Sequence, residues 1–124
     1  DVTVPLVPPK VSRVQMPEGG SAGKRAQDQL GENVRVVSAF QNVAAAHLAD
    51  LDHDPACDIL VAGNVVAARE QVIELVEACG MKGWHVGPID NSAVAEALTS
   101  ALIFMNKKYK IPGAGIRITG EPGA

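Results

Sequence analysis

The stretch from Val34 to Ala46, VRVVSAFQNVAAA, does most to limit what this chain can become. Val34, Val36 and Val37 are β-branched and favour a pleated backbone, and so short an apolar run suits a strand covered on both faces. Phe40, Gln41 and Asn42 then mark the carboxyl end of that strand, the position at which open α/β sheets leave a crevice for ligands. Ala44, Ala45 and Ala46 carry almost no side chain, so a flat ring could approach the main chain there. The same three alanines are also simply a good start to a helix.

The rest of the chain repeats that alternation. Asp58 to Gly63, DILVAG, reads as a second buried strand and Trp84 to Pro88 as a third. Between them, Asn64 can cap a helix from Val65 to Cys79, with Val65, Val72, Ile73, Leu75, Val76 and Cys79 on one broad stripe and Gly80 as the stop. Upstream, Asp1 to Leu6 alternates apolar and polar residues as a short strand closed by Pro5. Val7 to Gly20 carries Pro8, Pro9, Pro17, Gly19 and Gly20 and should be an extended surface excursion. Ser21 is a credible N-cap for a helix over Ala22 to Leu30, with Gly31 ending it. Leu48 and Leu51 are expected to continue the apolar side of the alanine helix.

Asn91 or Ser92 caps a last helix, Ala93 to about Lys108. Val94, Leu98, Ala101, Leu102 and Met105 make one apolar face of it, and Ile103 and Phe104 a second, so the helix should be covered on two sides, by the sheet and by a second subunit. Ile111 to Gly120 closes the chain as a short strand or extended tail. The expected fold class is α/β, the C-terminal half of a Rossmann-like, mostly parallel sheet with flanking helices and a long C-terminal helix. Residues 1–90 would form the second half of a dinucleotide-binding domain and residues 91–124 the dimerisation helix and cleft tail. A chain that opens at Asp1, in the middle of a strand, looks like a piece of something longer.

With 124 residues, 47% of them apolar and 3% aromatic, one small core of Val, Ile, Leu and Ala is the expectation. A net charge of -3 with both signs interspersed offers no basic face for nucleic acid. No apolar run reaches the length of a membrane span. Cys57 and Cys79 lack metal or redox spacing and read as two reduced, partly buried thiols of a cytoplasmic protein.

Motifs for chemistry are sparse. Gly19 to Arg25, GGSAGKR, falls short of a phosphate-binding loop because Glu18 and Arg25 stand where glycine and a hydroxyl residue are needed. Gly113, Gly115 and Gly120 fail the dinucleotide fingerprint, since Ile118 holds the third glycine's place and no helix follows. His47, Asp50, Asp52, His53 and Asp54 have metal-ligand chemistry but no spacing that fixes a third ligand, and a solvated loop is the simpler reading. His85 reads as a structural histidine. No nucleophile is set up, so any reactive atoms would belong to cofactors.

Several segments taken together, DVTVPLVPPKV, VRVVSAFQNVAAAHLADL, CDILVAG, GPIDNSAVAEALTSALIFMNKKY and GAGIRITG, resemble in that order the C-terminal portion of the NADPH-dependent reductases of the deazaflavin coenzyme F-420. The resemblance implies hydride transfer between NADPH and F-420 in a homodimer. It places Asn42, Val43, Ala44 and Ala45 on the nicotinamide side of a cleft, and Val4, Pro5, Leu6, Ala114, Gly115 and Ile116 beside the deazaflavin. No catalytic side chain and no metal is expected, because two stacked rings in a dry slot need neither acid nor base. The family's glycine-loop unit, which holds the NADP phosphates, has no counterpart in this chain, so the chain alone should bind NADP poorly or not at all. Two other readings stand beside this one: a non-catalytic α/β dimerisation module, and an NADP-linked reductase with another acceptor such as ferric iron.

Overall fold

A computed structural model describes residues 1–123. Three strands, β1 (Val37–Ser38), β2 (Asp58–Gly63) and β3 (Lys82–His85), form a sheet in sequence order. Four helices surround it: α1 (Ala22–Leu30), α2 (Ala45–Ala49), α3 (Val66–Ala78) and α4 (Ser92–Tyr109), with one 3-10 turn over Ile89–Asn91. The expected α/β class with flanking helices and a long last helix is what forms.

β2 is the centre. Ile59 and Val61 are wholly buried in a cluster with Ala39, Val76 and Met81 on the α3 side, against which Phe40, Val43 and Leu48 pack. Leu60 and Ala62, pointing the other way by the two-residue period of a strand, are buried as well. That is why DILVAG is apolar throughout: a strand covered on both faces has no solvent side to mark.

β2 runs parallel to β3, with Asp58 opposite Lys82 and Val61 opposite His85. β1 is antiparallel to β2, Val37 facing Gly63 and Ser38 facing Ala62, so the sheet is mixed, with its longer pairing parallel. The antiparallel pairing brings the exit of β1 and the approach to β2 to one end of the sheet. The expected strand over Asp1–Leu6 is absent. Asp1 alone docks, its N–H donating to the Val37 carbonyl at 2.7 Å while the Ala39 N–H donates to the Asp1 carbonyl at 3.1 Å, the two bonds of a parallel ladder around Ser38.

The N-terminal helix forms as read. Ser21 Oγ accepts from the Lys24 N–H at 2.9 Å, and Gly31 at φ 82° ends the helix. Its first turn is also held from a distance: the buried Glu96 carboxylate of α4 accepts from the Ala22 and Gly23 N–H groups at 2.7 and 3.1 Å. Ser21 Oγ lies 2.6 Å from Ser92 Oγ. At Gly23 a Cβ would meet Ser92 Oγ at 2.9 Å, so glycine is what lets α1 sit this close to the start of α4.

Four expectations are corrected. Asn64 does not cap α3; its Oδ1 accepts from the Ile89 N–H at 3.0 Å, and Val65 is the N-cap with no side-chain bond. Leu75 and Leu51, assigned to buried stripes, are 61% and 96% exposed, the second because α2 stops after five residues. Cys79 is exposed, and only Cys57 is half-buried. On α4 the buried side is Ser92, Ala95, Glu96, Ser100 and Leu102, while Val94, Ala101 and Met105 of the expected core face look outward. Polar anchors to α1 decided that rotation, and a hydrophobic count does not register them.

Candidate functional site

The chain end Ile111–Gly120 forms no strand and returns as an extended strap across the end of the sheet where β1 exits. Its course is set by Asn106 nearby in the chain and by the Ala56–Asp58 segment far from it. Asn106 Oδ1, on the last turn of α4, accepts from the Ala114 N–H at 2.8 Å. The Asp58 N–H donates to the Ile116 carbonyl at 2.8 Å, and Asp58 Oδ2 accepts from both the Ile118 N–H at 2.8 Å and the Trp84 indole at 3.0 Å. Arg117 Nε donates to the Ala56 carbonyl at 3.0 Å. Lys110, left-handed at φ 54°, makes the turn out of α4 that starts the strap.

Between strap and sheet lies a cleft of about 430 Å³, within the size range of small-molecule sites. Val43 and Ala44 line it from one segment and Gly113, Ala114, Gly115 and Ile116 from another, with His47, Cys57 and Arg117 also in the lining. Two glycines set how closely the walls meet. A Cβ at Gly113 would collide with the His47 imidazole, and one at Gly115 would lie 2.6 Å from Cys57 Cβ. His47 stacks on His53 at 4.1 Å between ring centroids. Burial pushes the Cys57 thiol above its usual range, with Asp58 adding to the shift, so this thiol stays neutral at physiological pH.

The expected site residues fall into three groups. Val43, Ala44, Ala114, Gly115 and Ile116 come together around this one space, although more than fifty residues separate the two sets. Asn42 is 1% exposed and its amide is spent on structure, donating to the Asp58 carbonyl at 2.6 Å and accepting from the Leu60 N–H at 3.4 Å. Ala45 opens α2 on the exposed side and does not line the cleft, and neither do Val4, Pro5 and Leu6. His85 is structural in the sense expected, its Nδ1 accepting from Arg69 Nε at 3.0 Å. Among the described residues no group of three or more His, Cys, Asp or Glu could hold a metal ion.

Asp58 and Asn106, which position the strap, escaped the sequence reading. Asp58 could have been noticed as the one charged residue opening an otherwise apolar strand. Asn106 carried no signal, because its partner is a backbone N–H eight residues on in a segment without periodicity.

A small, partly parallel sheet with flanking helices and a long last helix makes the chain an α/β unit of the Rossmann-like class. Comparison with known proteins takes this further. The sequence is 45% identical over 111 residues to an F420-dependent NADP reductase of Methanocaldococcus jannaschii, a match covering 89% of this chain and 49% of that protein. It is 32% identical to the F420-dependent NADP reductase of Methanothermobacter thermautotrophicus and 34% to that of Methanothermobacter marburgensis, each over 98% of this chain and 55% and 57% of theirs. The resemblance read from the sequence therefore holds: the chain is a relative of the F420-dependent NADP reductases and spans about half the length of the curated relatives it matches. A crystal structure from Arthrobacter sp. FB24, itself assigned only provisionally as an F420-dependent NADP reductase, superposes on 81% of the chain with a TM-score of 0.72. It covers 46% of that protein at 22% identity and so speaks for the fold. No protein-family model matches the chain.

Proposed function

We propose that this chain, within a polypeptide of its relatives' full length, serves an oxidoreductase that passes hydride between NADPH and coenzyme F-420, and that the cleft between Val43–Ala44 and Gly113–Ile116 is where the two rings meet. The observation that carries the reading is the convergence of these two distant, small-residue segments on one space of about 430 Å³. When bound, the two coenzymes supply hydride donor and acceptor. The chain's own part is to bind, orient and dry the space between them.

The residues fit that task. Val43, Ala44 and Ala114 present little bulk, so a planar ring can lie against main chain. Glycine at 113 and 115 lets the strap close onto His47 and Cys57. The strap is held by Asn106 and Asp58, so its free backbone groups keep a fixed direction. No proton has to move at a side chain: the Val43–Ala44 and Gly113–Ile116 segments carry no ionisable group, and His47, His53, Asp54, Cys57 and Arg117, which also line the cleft, are given no part in the transfer.

The division into residues 1–90 and 91–124 belongs to this reading, as do a cytoplasmic setting and a homodimer. For the dimer the supporting observation is a stripe on α4: Val94, Ala101 and Met105, spaced to lie on one side of the helix, are exposed, Val94 to 59%. Light scattering of the natural full-length protein at micromolar concentration should give twice the monomer mass, and a monomer mass would remove the dimer.

The hydride-transfer reading is tested by following NADPH oxidation by F-420 with the natural full-length protein and with Ala44→Trp. The substitution should fill the cleft and cut turnover at least about a hundredfold, as for a misplaced near-attack geometry. Unchanged turnover in the variant would place the reaction elsewhere.

A further inference from the structure

The geometry points to Gln41 as the acceptor for an amide N–H of the bound ligand, a primary carboxamide of the kind carried by a nicotinamide ring. Gln41 is 3% exposed. Its Nε2 donates to the Asp1 carbonyl at 3.1 Å and to Ser38 Oγ at 2.8 Å, and its backbone carbonyl accepts from Thr99 Oγ1 at 2.6 Å. A main-chain carbonyl can only accept, so the nitrogen of the side-chain amide must face Asp1 and the orientation of the amide is settled. Oε1 is then left buried with no hydrogen-bond partner, the only such side-chain atom among the described residues.

A carbonyl oxygen held out of water without a donor is costly, and native interiors rarely keep one. The backbone works to keep it there. Phe40 sits at φ 70°, a left-handed conformation that is unfavourable for a bulky residue, and this turn sends both Gln41 and Asn42 inward. Asn42 finds a partner for each end of its amide, and Gln41 does not.

Gln41 also lines a cavity of about 70 Å³ together with Val43, Ala44, Thr99, Asn106 and Ala114. Val43, Ala44 and Ala114 line the larger cleft as well, so the small cavity adjoins it. Such a volume holds a couple of waters or one carboxamide group, and it is too small for a ring. The inference rests on the reading that a nicotinamide cofactor occupies the cleft, and it assigns the small cavity to the carboxamide and Gln41 to recognition of its N–H.

The test compares binding of NADP with its acetylpyridine analogue, in which a methyl ketone replaces the amide and no N–H remains, by calorimetry on the natural full-length protein. The wild type should prefer NADP by about tenfold or more, the range set by one buried acceptor gaining or losing its donor. Gln41→Met, of similar shape but unable to accept in this way, should bind the two alike. Equal binding by the wild type would overturn the inference and leave the cleft reading intact, and failure of both ligands to bind would overturn both. If Gln41→Met does not fold, Gln41→Asn, which draws the oxygen back by one methylene, should lose the preference likewise. A preference retained in whichever variant folds would overturn the role of Gln41.

Discussion

Gly115 lies directly on Cys57: a methyl group at position 115 would sit 2.6 Å from the Cys57 Cβ, closer than such atoms pack. Cys57 is fixed where the chain enters β2, so the strap is the part that must give. Gly115→Ala should therefore lift the strap. Because the main core lies elsewhere, it should lower the melting temperature little while weakening F-420 or NADP binding by about tenfold, the size of one misplaced contact surface. Calorimetric titration beside a thermal melt checks this, and a large loss of stability with intact affinity would contradict it.

Trp84 is the only tryptophan, and its indole shares Asp58 with the strap. Asp58→Ala removes the acceptor for both the indole and the Ile118 N–H, each of which is partly open to water. The expected result is a red-shifted Trp84 emission and faster proteolytic trimming of the chain beyond Asn106, with the sheet retained by circular dichroism.

Glu96 is 1% exposed and holds the first turn of α1 through the Ala22 and Gly23 N–H groups. Hydrogen bonds to a charged group are worth about 1.5–3 kcal/mol, and an orphaned helix start adds to the loss. Glu96→Ala should destabilise by about 3 kcal/mol and Glu96→Gln by less, read as shifts in the urea midpoint at constant slope.

At Phe40 two effects oppose each other. Glycine would relieve the left-handed conformation, worth about 1–2 kcal/mol. It would also remove a half-buried ring packed against the cluster of Ala39, Ile59 and Val61, which costs part of the about 3–5 kcal/mol lost with a fully buried aromatic. The packing is the larger of the two by a small margin, so Phe40→Gly should be net destabilising by about 1 kcal/mol or less in denaturant unfolding.

The two thiols should separate by reagent and by pH. Cys79 is exposed and should react first with a maleimide, whereas Cys57 is half-buried with its thiol raised above the usual 9.0 by burial first and Asp58 second. Since the folded value is the higher one, this group's contribution to stability is intact below the ordinary thiol range and falls as the pH climbs from there to the raised value. Peptide mapping after timed labelling, and melts across alkaline pH, follow the two effects.

Local signals carried much of the fold. Ser21 and Gly31 bracket α1 because capping is settled within one helical turn, and DILVAG is β2 because burial on both faces demands a continuous apolar run. β3 begins at Lys82 instead of Trp84, since its pairing with Asp58 fixes where it starts. The site was half legible. The small residues at 43–44 and 113–116 announce a close approach to something, but nothing in either stretch announces the other.

By itself, then, the sequence determined β2, α1 with both its ends, the bodies of α3 and the long last helix, and the kinship with F420-dependent NADP reductases, while a strand over Asp1–Leu6 and a longer α2 did not form. Only the tertiary structure decided that β1 runs against β2, that α4 buries Glu96 and Ser100 while showing Val94 and Met105 to solvent, and that Asn42 is spent on β2 while Gln41 keeps an unpaired oxygen. The division has a physical cause. Helix caps and apolar periods are written within a few residues, whereas the direction of a two-residue strand and the partner of a buried amide depend on hydrogen bonds between groups sixteen to seventy-four positions apart.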